Sequence, residues 1–264
     1  MGDHLKQTAD VDERSLRHQP QKNFDTPLCM QDLSLGNTDV LILVGGQGKR
    51  LRQVVCDRPK PMADIRGRPF LDILINYVSG YGFRRIILCT GHMGSLVKEH
   101  YRKVTDGIEI LSSEEKEPLG TGGAIKNAKA LIRSNPFLVM NGDSFCAADL
   151  GSLVDFHKKM NALLSIVLTY SDTTEDYGSV TFNSSHRITS FSEKVPCAGK
   201  SGVNAGIYLM NKDIFSYMPR KKRFSLEYDM FPDIAGNRCY GFVTEMQLTD
   251  IGTPERYEVA KGLF

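Results

Sequence analysis

The run Asp39-Val-Leu-Ile-Leu-Val44, which passes directly into Gly45-Gly-Gln-Gly48, constrains this chain more than any other feature. A continuous apolar stretch rich in β-branched residues has no polar side to turn toward water. It therefore predicts a strand covered on both faces. Helices must supply that cover, and sheets built this way bind ligands at the carboxyl ends of their strands.

The downstream sequence keeps the same rhythm. Phe70, Leu71, Leu74, Ile75 and Val78 share one helical face just after Pro69, with Gly80 and Gly82 to end the helix. Residues 85–90 read as a second strand, 93–103 as a helix and 108–111 as a short strand. Ala124, Ala128, Leu131 and Ile132 mark another helix, and 136–140 a further buried strand. Alternating strands and helices predict an α/β domain with a mainly parallel sheet flanked by helices. After residue 160 the connections shorten. Strand candidates at 163–170, 178–182, 188–191 and 203–210 predict a smaller antiparallel or mixed addition that covers one side of a site. The domain is expected to span 37–264. Residues 1–36 are polar and weakly patterned, and are expected to be a mostly irregular extension.

Composition narrows the partners. A net charge of +2 gives no general polyanion-binding surface, and the lack of Trp gives no base-stacking platform, so no nucleic-acid partner is expected. The six cysteines form no C-x-x-C pair, as in a reduced, cytoplasmic protein. No apolar run approaches the roughly 18 residues of a membrane span, and the first residues lack the apolar core of a secretory leader. No membrane association is expected.

Five segments carry chemistry. The first is Gly45-Gly-Gln-Gly-Lys-Arg50-Leu-Arg52. It is not a Walker A loop, because Lys49 is followed by Arg50. It is not a dinucleotide fingerprint either, because Leu51 stands where a third glycine belongs. What remains is a glycine turn with Lys49, Arg50 and Arg52: Gly45, Gly46 and Gly48 let backbone N–H groups approach an anion, and the cations neutralise it. A tight surface turn with solvated charges is the plainer alternative. The second is Arg58-Pro-Lys60-Pro-Met62, where flanking prolines hold the lysine stem extended. Such a lysine can meet a phosphate, although Pro-Lys-Pro also serves as a rigid loop. The third is Glu117-Pro-Leu-Gly-Thr-Gly-Gly-Ala124, at a helix start. Gly120, Thr121 and Gly122 suit close approach to a ligand, or Thr121 simply caps the helix.

The fourth is Val139-Met-Asn-Gly-Asp143, a strand ending in a carboxylate, with a distant partner in Thr249-Asp-Ile-Gly-Thr-Pro254. Asp143 and Asp250 can share one divalent cation that also binds phosphates; an Asx turn is the alternative at Asp143. The fifth is Ser190-Phe-Ser-Glu-Lys194 followed by Gly202-Val-Asn-Ala-Gly206. Glu193 and Lys194 face opposite sides of a strand, so one can bind sugar hydroxyls while the other meets a phosphate, or both are solvated charge.

Taken in order, these segments resemble the sugar-phosphate nucleotidyltransferase family, whose hallmark is a strand, a GGxGTRL-like loop and then PKPM. Here the loop reads GGQGKRL before PKPM, and EPLGTGGA, NGD, F-S-E-K, G-V-N-A-G-I-Y and D-I-G-T-P-E continue the match over about residues 38–260. Within the family the chain looks most like the branch of D-glycero-α-D-manno-heptose 1-phosphate guanylyltransferases and the related mannose-1-phosphate enzymes.

The resemblance implies a Rossmann-like, GT-A-like fold. It also implies transfer of GMP from GTP to a heptose 1-phosphate, with Mg2+ as cofactor and release of pyrophosphate. It implies catalytic roles for Arg50 and Lys60 with Lys49 as helper, and nucleotide contacts from Gly45, Gly46, Gly48, Gly120, Thr121, Gly122 and Asp143. Sugar-phosphate contacts would come from Gly178, Glu193, Lys194 and Asn204, and metal ligation from Asp143 and Asp250. Homo-oligomerisation stays open. Lys49 stands where the family usually has Thr, which keeps a second reading: a catalytically inactive regulatory protein of the same fold that binds nucleotide sugars. A glycosyltransferase is disfavoured because the strand ends in Asn141-Gly-Asp143 rather than D-x-D.

Overall fold

Strand β1 (Asp39–Leu43) is the parallel centre of the sheet, with β4 (Arg85–Thr90) on one side and β6 (Phe137–Asn141) on the other. This computed structural model describes residues 33–102, 107–170, 178–193 and 202–264. Residues Asp32–Phe264 form one compact unit. The extension expected over 1–36 lies outside the described residues except for one helical turn, α1 (Leu33–Gly36).

Side-chain alternation along the central strands confirms the two-faced reading of the first apolar run. Val40 and Ile42 join one core cluster with Ile86, Leu88, Leu138 and Met140. Leu41 joins the other with Ile87, Cys89, Phe137 and Val139. Period-2 geometry divides the strands in this way, and both halves are buried because helices cover both faces.

A small ribbon, β2 (Asp64–Ile65) with β3 (Arg68–Pro69), leads into α2 (Phe70–Gly80). Its predicted apolar face is buried, and the chain leaves it through Gly82 at φ 96°. Helix α3 (Gly94–Tyr101) precedes β5 (Glu109–Glu114), which pairs in parallel with β4 at the sheet edge. Helix α4 (Gly120–Ala128) then returns to β6. After β6 come the short β7 (Ser144–Cys146) and α5 (Leu150–Lys159), whose N-terminus is capped by the Asp149 carboxylate accepting from Ser152 N.

The late strands belong to the same nine-stranded sheet. They are β8 (Leu164–Thr169), β9 (Gly178–Phe182), β10 (Ile188–Glu193) and β11 (Gly202–Met210). Strand β11 runs antiparallel to β6, β8 and β9, and so joins the parallel half to the antiparallel half. Two short helices follow, α6 (Leu226–Asp229) and α7 (Phe231–Ile234). Then comes β12 (Cys239–Val243), parallel to β8. Last are β13 (Leu248–Asp250) and α8 (Pro254–Leu263), which has Thr253 as N-cap and Pro254 in its first turn.

The amino end of the sheet is pinned by charge. Asp39, nearly fully buried, pairs with Arg85 and accepts from the backbone N–H groups of Arg133 and Ser134; Arg85 also meets Glu109 at 2.9 Å. A buried carboxylate persists only when partnered in this way. The carboxyl ends of β1, β5 and β6 are left for the loops of the candidate site.

Candidate active site

The Gly45–Arg52 loop is one tight turn. Leu51 N and Arg52 N both donate to Gly48 O, at 3.0 and 3.1 Å. Gly48 has φ 58°, and a Cβ there would lie 3.1 Å from Lys60 Cβ, so the turn and the Pro-Lys-Pro segment pack against each other. The extended path expected for that segment holds at Pro59 (φ −66°, ψ 148°); Lys60–Met62 then forms a 3-10 turn.

Lys60 Nζ forms an ion pair with Asp143 Oδ2 at 2.7 Å. Asp143 follows β6, where Gly142 N donates to Leu43 O at 3.0 Å. Asp250 arrives from the other end of the sequence. It pairs in register with Ser144 through the β13–β7 ladder, and Ile251 N donates to Asp143 O at 3.0 Å. Asp250 Oδ1 accepts from Gly252 N at 2.6 Å, and Oδ2 from Arg256 Nη1 at 3.2 Å. Around Gly252 the groups converge. A Cβ built there would lie 2.5 Å from Asp250 Oδ1, 3.4 Å from Arg50 Nη2 and 3.6 Å from Lys60 Nζ.

Arg50, Lys60, Asp143, Asp250, Gly178 and Asn204 thus line a single open cleft of about 250 Å³. These six predicted residues are brought together. Lys49 is exposed and does not line the cleft. Gly46 is exposed, and a Cβ on it would meet nothing within 4 Å. Gly45 is held close to Glu115, whose Oε1 would be 2.7 Å from a Gly45 Cβ. Burial raises the Glu115 pKa, against a hydrogen bond from Leu119 N that lowers it. Glu193 ends β10 opposite Gly178 in register, while Lys194 lies outside the described residues.

The EPLGTGGA segment packs against the 222–226 segment of the chain itself. Gly122 N and Gly123 N both donate to Phe224 O, at 3.1 and 3.2 Å, and Phe224 N donates to Leu119 O. Thr121 does not cap its helix. Its hydroxyl donates to Glu227 Oε2 at 2.7 Å and accepts from Leu226 N at 2.8 Å. A Cβ on Gly120 would meet Phe224 O at 2.6 Å, and one on Gly122 the Phe224 ring at 2.1 Å. These glycines make room for the 222–226 segment, and the Gly122 and Gly123 N–H groups are committed to it. Close backbone approach to another part of the chain demands the same residues as close approach to a ligand.

Seven further lining residues had no assigned role: Ser144, Leu248 and Gly252 beside the two acids, and Asn141, Gly206, Glu227 and Arg256. Asn141 and Gly206 stand inside quoted motifs, and Glu227 sits two residues after the N-cap Ser225. Arg256 follows D-I-G-T-P-E on the first turn of α8, and only the fold shows that it reaches Asp250.

A Gly-rich turn with two cations, two acids on neighbouring β ends and a polar far wall define a phosphate-handling transferase site on an α/β sheet. The profile of the Nucleotidyl transferase family matches residues 39–262, and the chain belongs to that family. It is 36% identical over 224 residues to a D-glycero-alpha-D-manno-heptose 1-phosphate guanylyltransferase of Aneurinibacillus thermoaerophilus, covering 84% of this chain and 96% of that one. A mannose-1-phosphate guanylyltransferase of Mycobacterium tuberculosis is 31% identical over 83% of this chain, which spans 62% of that protein. Among solved structures, HddC from Yersinia pseudotuberculosis superposes with a TM-score of 0.74 at 36% identity, covering 86% of this chain and 99% of that one. It has also been solved complexed with GMP-PN. The chain is accordingly an enzyme of sugar-phosphate nucleotidyl transfer. No helix among the described residues is long and apolar enough to cross a membrane.

Proposed function

We propose that this protein transfers GMP from GTP to D-glycero-D-manno-heptose 1-phosphate. An oxygen of the sugar phosphate attacks the α-phosphorus, the bond from that phosphorus to the β-phosphate oxygen breaks, and the electron pair leaves with pyrophosphate. A phosphate monoester has a second pKa of about 6, so the nucleophile is already ionised near neutrality and no general base is needed. The barrier is electrostatic, because a dianion must approach a polyanion in line. The observation that carries the reading is the cleft shared by Arg50, Lys60, Asp143, Asp250 and Asn204.

Arg50 takes the charge that builds on the leaving phosphates. Lys60, whose stem packs on Gly48, exchanges Asp143 for a phosphate oxygen. Gly178 and Asn204 meet the sugar on the far wall, with Glu193 and Lys194 assigned to the same side by resemblance. The donor set suits a hard divalent cation, Mg2+ by preference: Asp143 and Asp250 offer oxygen only. Among the described residues no third His, Cys, Asp or Glu joins them, so phosphates and water would complete the coordination. The cation, when bound, neutralises phosphate charge. Lys49 is exposed and away from the cleft wall, so its replacement of the family's Thr leaves the lining residues intact, which favours turnover over a purely regulatory role.

Pyrophosphate release measured with four NTPs against heptose-, mannose- and glucose-1-phosphate tests the reading. GTP with the heptose phosphate is expected to give the highest kcat/KM. The double variant D143N/D250N is expected to lose metal-dependent release; normal metal dependence in that variant would refute the two-carboxylate assignment.

A further inference from the structure

Tyr208 is the largest fully buried side chain of β11, yet its hydroxyl joins two residues that line the cleft. It accepts from Asn204 Nδ2 at 2.9 Å and donates to Glu227 Oε1 at 3.4 Å. The orientation of the Asn204 amide is set independently, because its Oδ1 accepts from Gly206 N at 3.0 Å; the amino group must then face Tyr208. Glu227 is held on its other oxygen by two more hydroxyls, Thr121 at 2.7 Å and Ser225 at 2.5 Å. The Tyr208 ring packs beside Phe231 with centroids 5.3 Å apart, so the hydroxyl has little freedom to move.

We infer that the Tyr208 hydroxyl is a positioning group, which holds the Asn204 amino group and the Glu227 carboxylate in place on the sugar side of the cleft. The polarity runs one way along the chain, from the Gly206 N–H through Asn204 on one branch and from Asn204 through Tyr208 to Glu227 on the other. Asn204 Nδ2 keeps its second N–H, which has no partner among the described residues. Glu227 Oε1 keeps lone pairs beyond the one that Tyr208 uses. A donor and an acceptor held apart by a rigid phenol match two hydroxyls of one sugar, each of which can both give and take a proton. The Gly206 N–H sets which way the Asn204 amide faces, and the phenol holds the amino group and the Glu227 carboxylate at a fixed separation. The Glu227 carboxylate also links this wall to α4 through Thr121, so the 222–226 packing described above supports the same geometry.

The inference rests on the proposed transferase activity, and steady-state kinetics separate the two. Tyr208→Phe removes only the hydroxyl and keeps the packing. It is expected to raise KM for the sugar 1-phosphate about tenfold, the usual loss for a buried hydrogen bond in a network, while KM for the NTP and kcat stay within twofold. Because part of its effect passes through Asn204 and part through Glu227, it should add less than its single-variant rise in an Asn204→Ala background. Circular dichroism and melting score folding separately, and Glu227→Gln, which leaves the phenol in place, is expected to raise the sugar KM in the same selective way should Y208F fold poorly. An active wild type with an unchanged sugar KM in Y208F overturns the inference alone, as do additive effects in Y208F/N204A or an equal rise in both KM values. A folded wild type that releases no pyrophosphate with any pair overturns the activity, and the inference with it.

Discussion

Gly122→Ala is the sharpest test of how the EPLGTGGA segment is used. In an exposed helix the change would stabilise by about 1 kcal/mol, because alanine restricts the unfolded chain and favours the helix. Here the new Cβ would lie 2.1 Å from Phe224 Cε2, 2.5 Å from Cδ2 and 3.0 Å from Cζ. Carbon pairs rest at about 3.5–4.0 Å, so the ring must move by more than an ångström. It has nowhere convenient to go: Phe224 is 2% exposed and its backbone is tied to Leu119, Gly122 and Gly123. Overpacking of this kind costs about 1–3 kcal/mol, occasionally more. Taking the upper end and subtracting the helix gain leaves a net loss of about 2 kcal/mol. For a domain of this size that is a fall of roughly 4–8 °C in Tm. Urea denaturation and thermal melts measure it, and the double variant G122A/F224L, with a smaller and more adaptable partner, is expected to recover part of the loss. A G122A protein that melts like the wild type but shows a raised KM for the NTP would refute the packing argument and return this glycine to the nucleotide.

Arg50→Ala is expected to lower kcat on the order of 100-fold, as the loss of one preorganised charge stabiliser does; wild-type turnover would remove Arg50 from the mechanism. Gly252→Ala places a methyl 2.5 Å from Asp250 Oδ1, beside Arg50 and Lys60, and is expected to cut kcat/KM about tenfold, or about 1.4 kcal/mol, with little change in Tm; unaltered kinetics would mean that this convergence is not the reacting centre. His157 is 2% exposed on α5, with Nδ1 against Ser165 Oγ at 2.8 Å, and burial pushes its pKa down to about 4. Between the ordinary value of 6.5 and about 4, the unfolded chain takes up a proton that the native chain refuses, so stability falls as pH falls through this window, by up to roughly 3 kcal/mol. Melting curves from pH 7 to pH 4.5 should show this, and His157→Gln should flatten the dependence; an equally steep profile in the variant would assign it to other groups.

What was legible in the sequence follows from the range of the signals. The buried strand before Gly45 announced itself because five successive residues had to satisfy two cores at once. Asp143 and Asp250 could be paired in advance because each stands next to a turn that ends a strand. The β7–β13 ladder that brings them together was not legible, since three-residue strands are too short to show a period. Helix α8 was hidden because its buried face carries only Tyr257 and Ala260, and Arg256 was hidden with it, whereas α5 does show an i, i+3, i+4, i+7 face in Leu150, Leu153, Val154 and His157. The packing of Gly120–Gly122 against Phe224 was hidden for a different reason. A glycine reports only that something comes close, and the identity of that neighbour, here Phe224, is a tertiary fact. Glu227 was likewise invisible as a hub, because two of its three hydrogen-bond partners, Thr121 and Tyr208, come from distant segments whose proximity only the fold reveals; the third, Ser225, is its own helix cap.

The short β7–β13 ladder also orders events during biosynthesis. Its partners are about a hundred residues apart, as the Cys146–Met246 contact across it shows, and joining such distant segments requires most of the intervening chain to be in place. A nascent protein can therefore build its central sheet and its Gly-rich loop before residues 248–250 leave the ribosome, and yet own only one of the two acids. The proposed two-acid site would thus be complete only once this ladder docks.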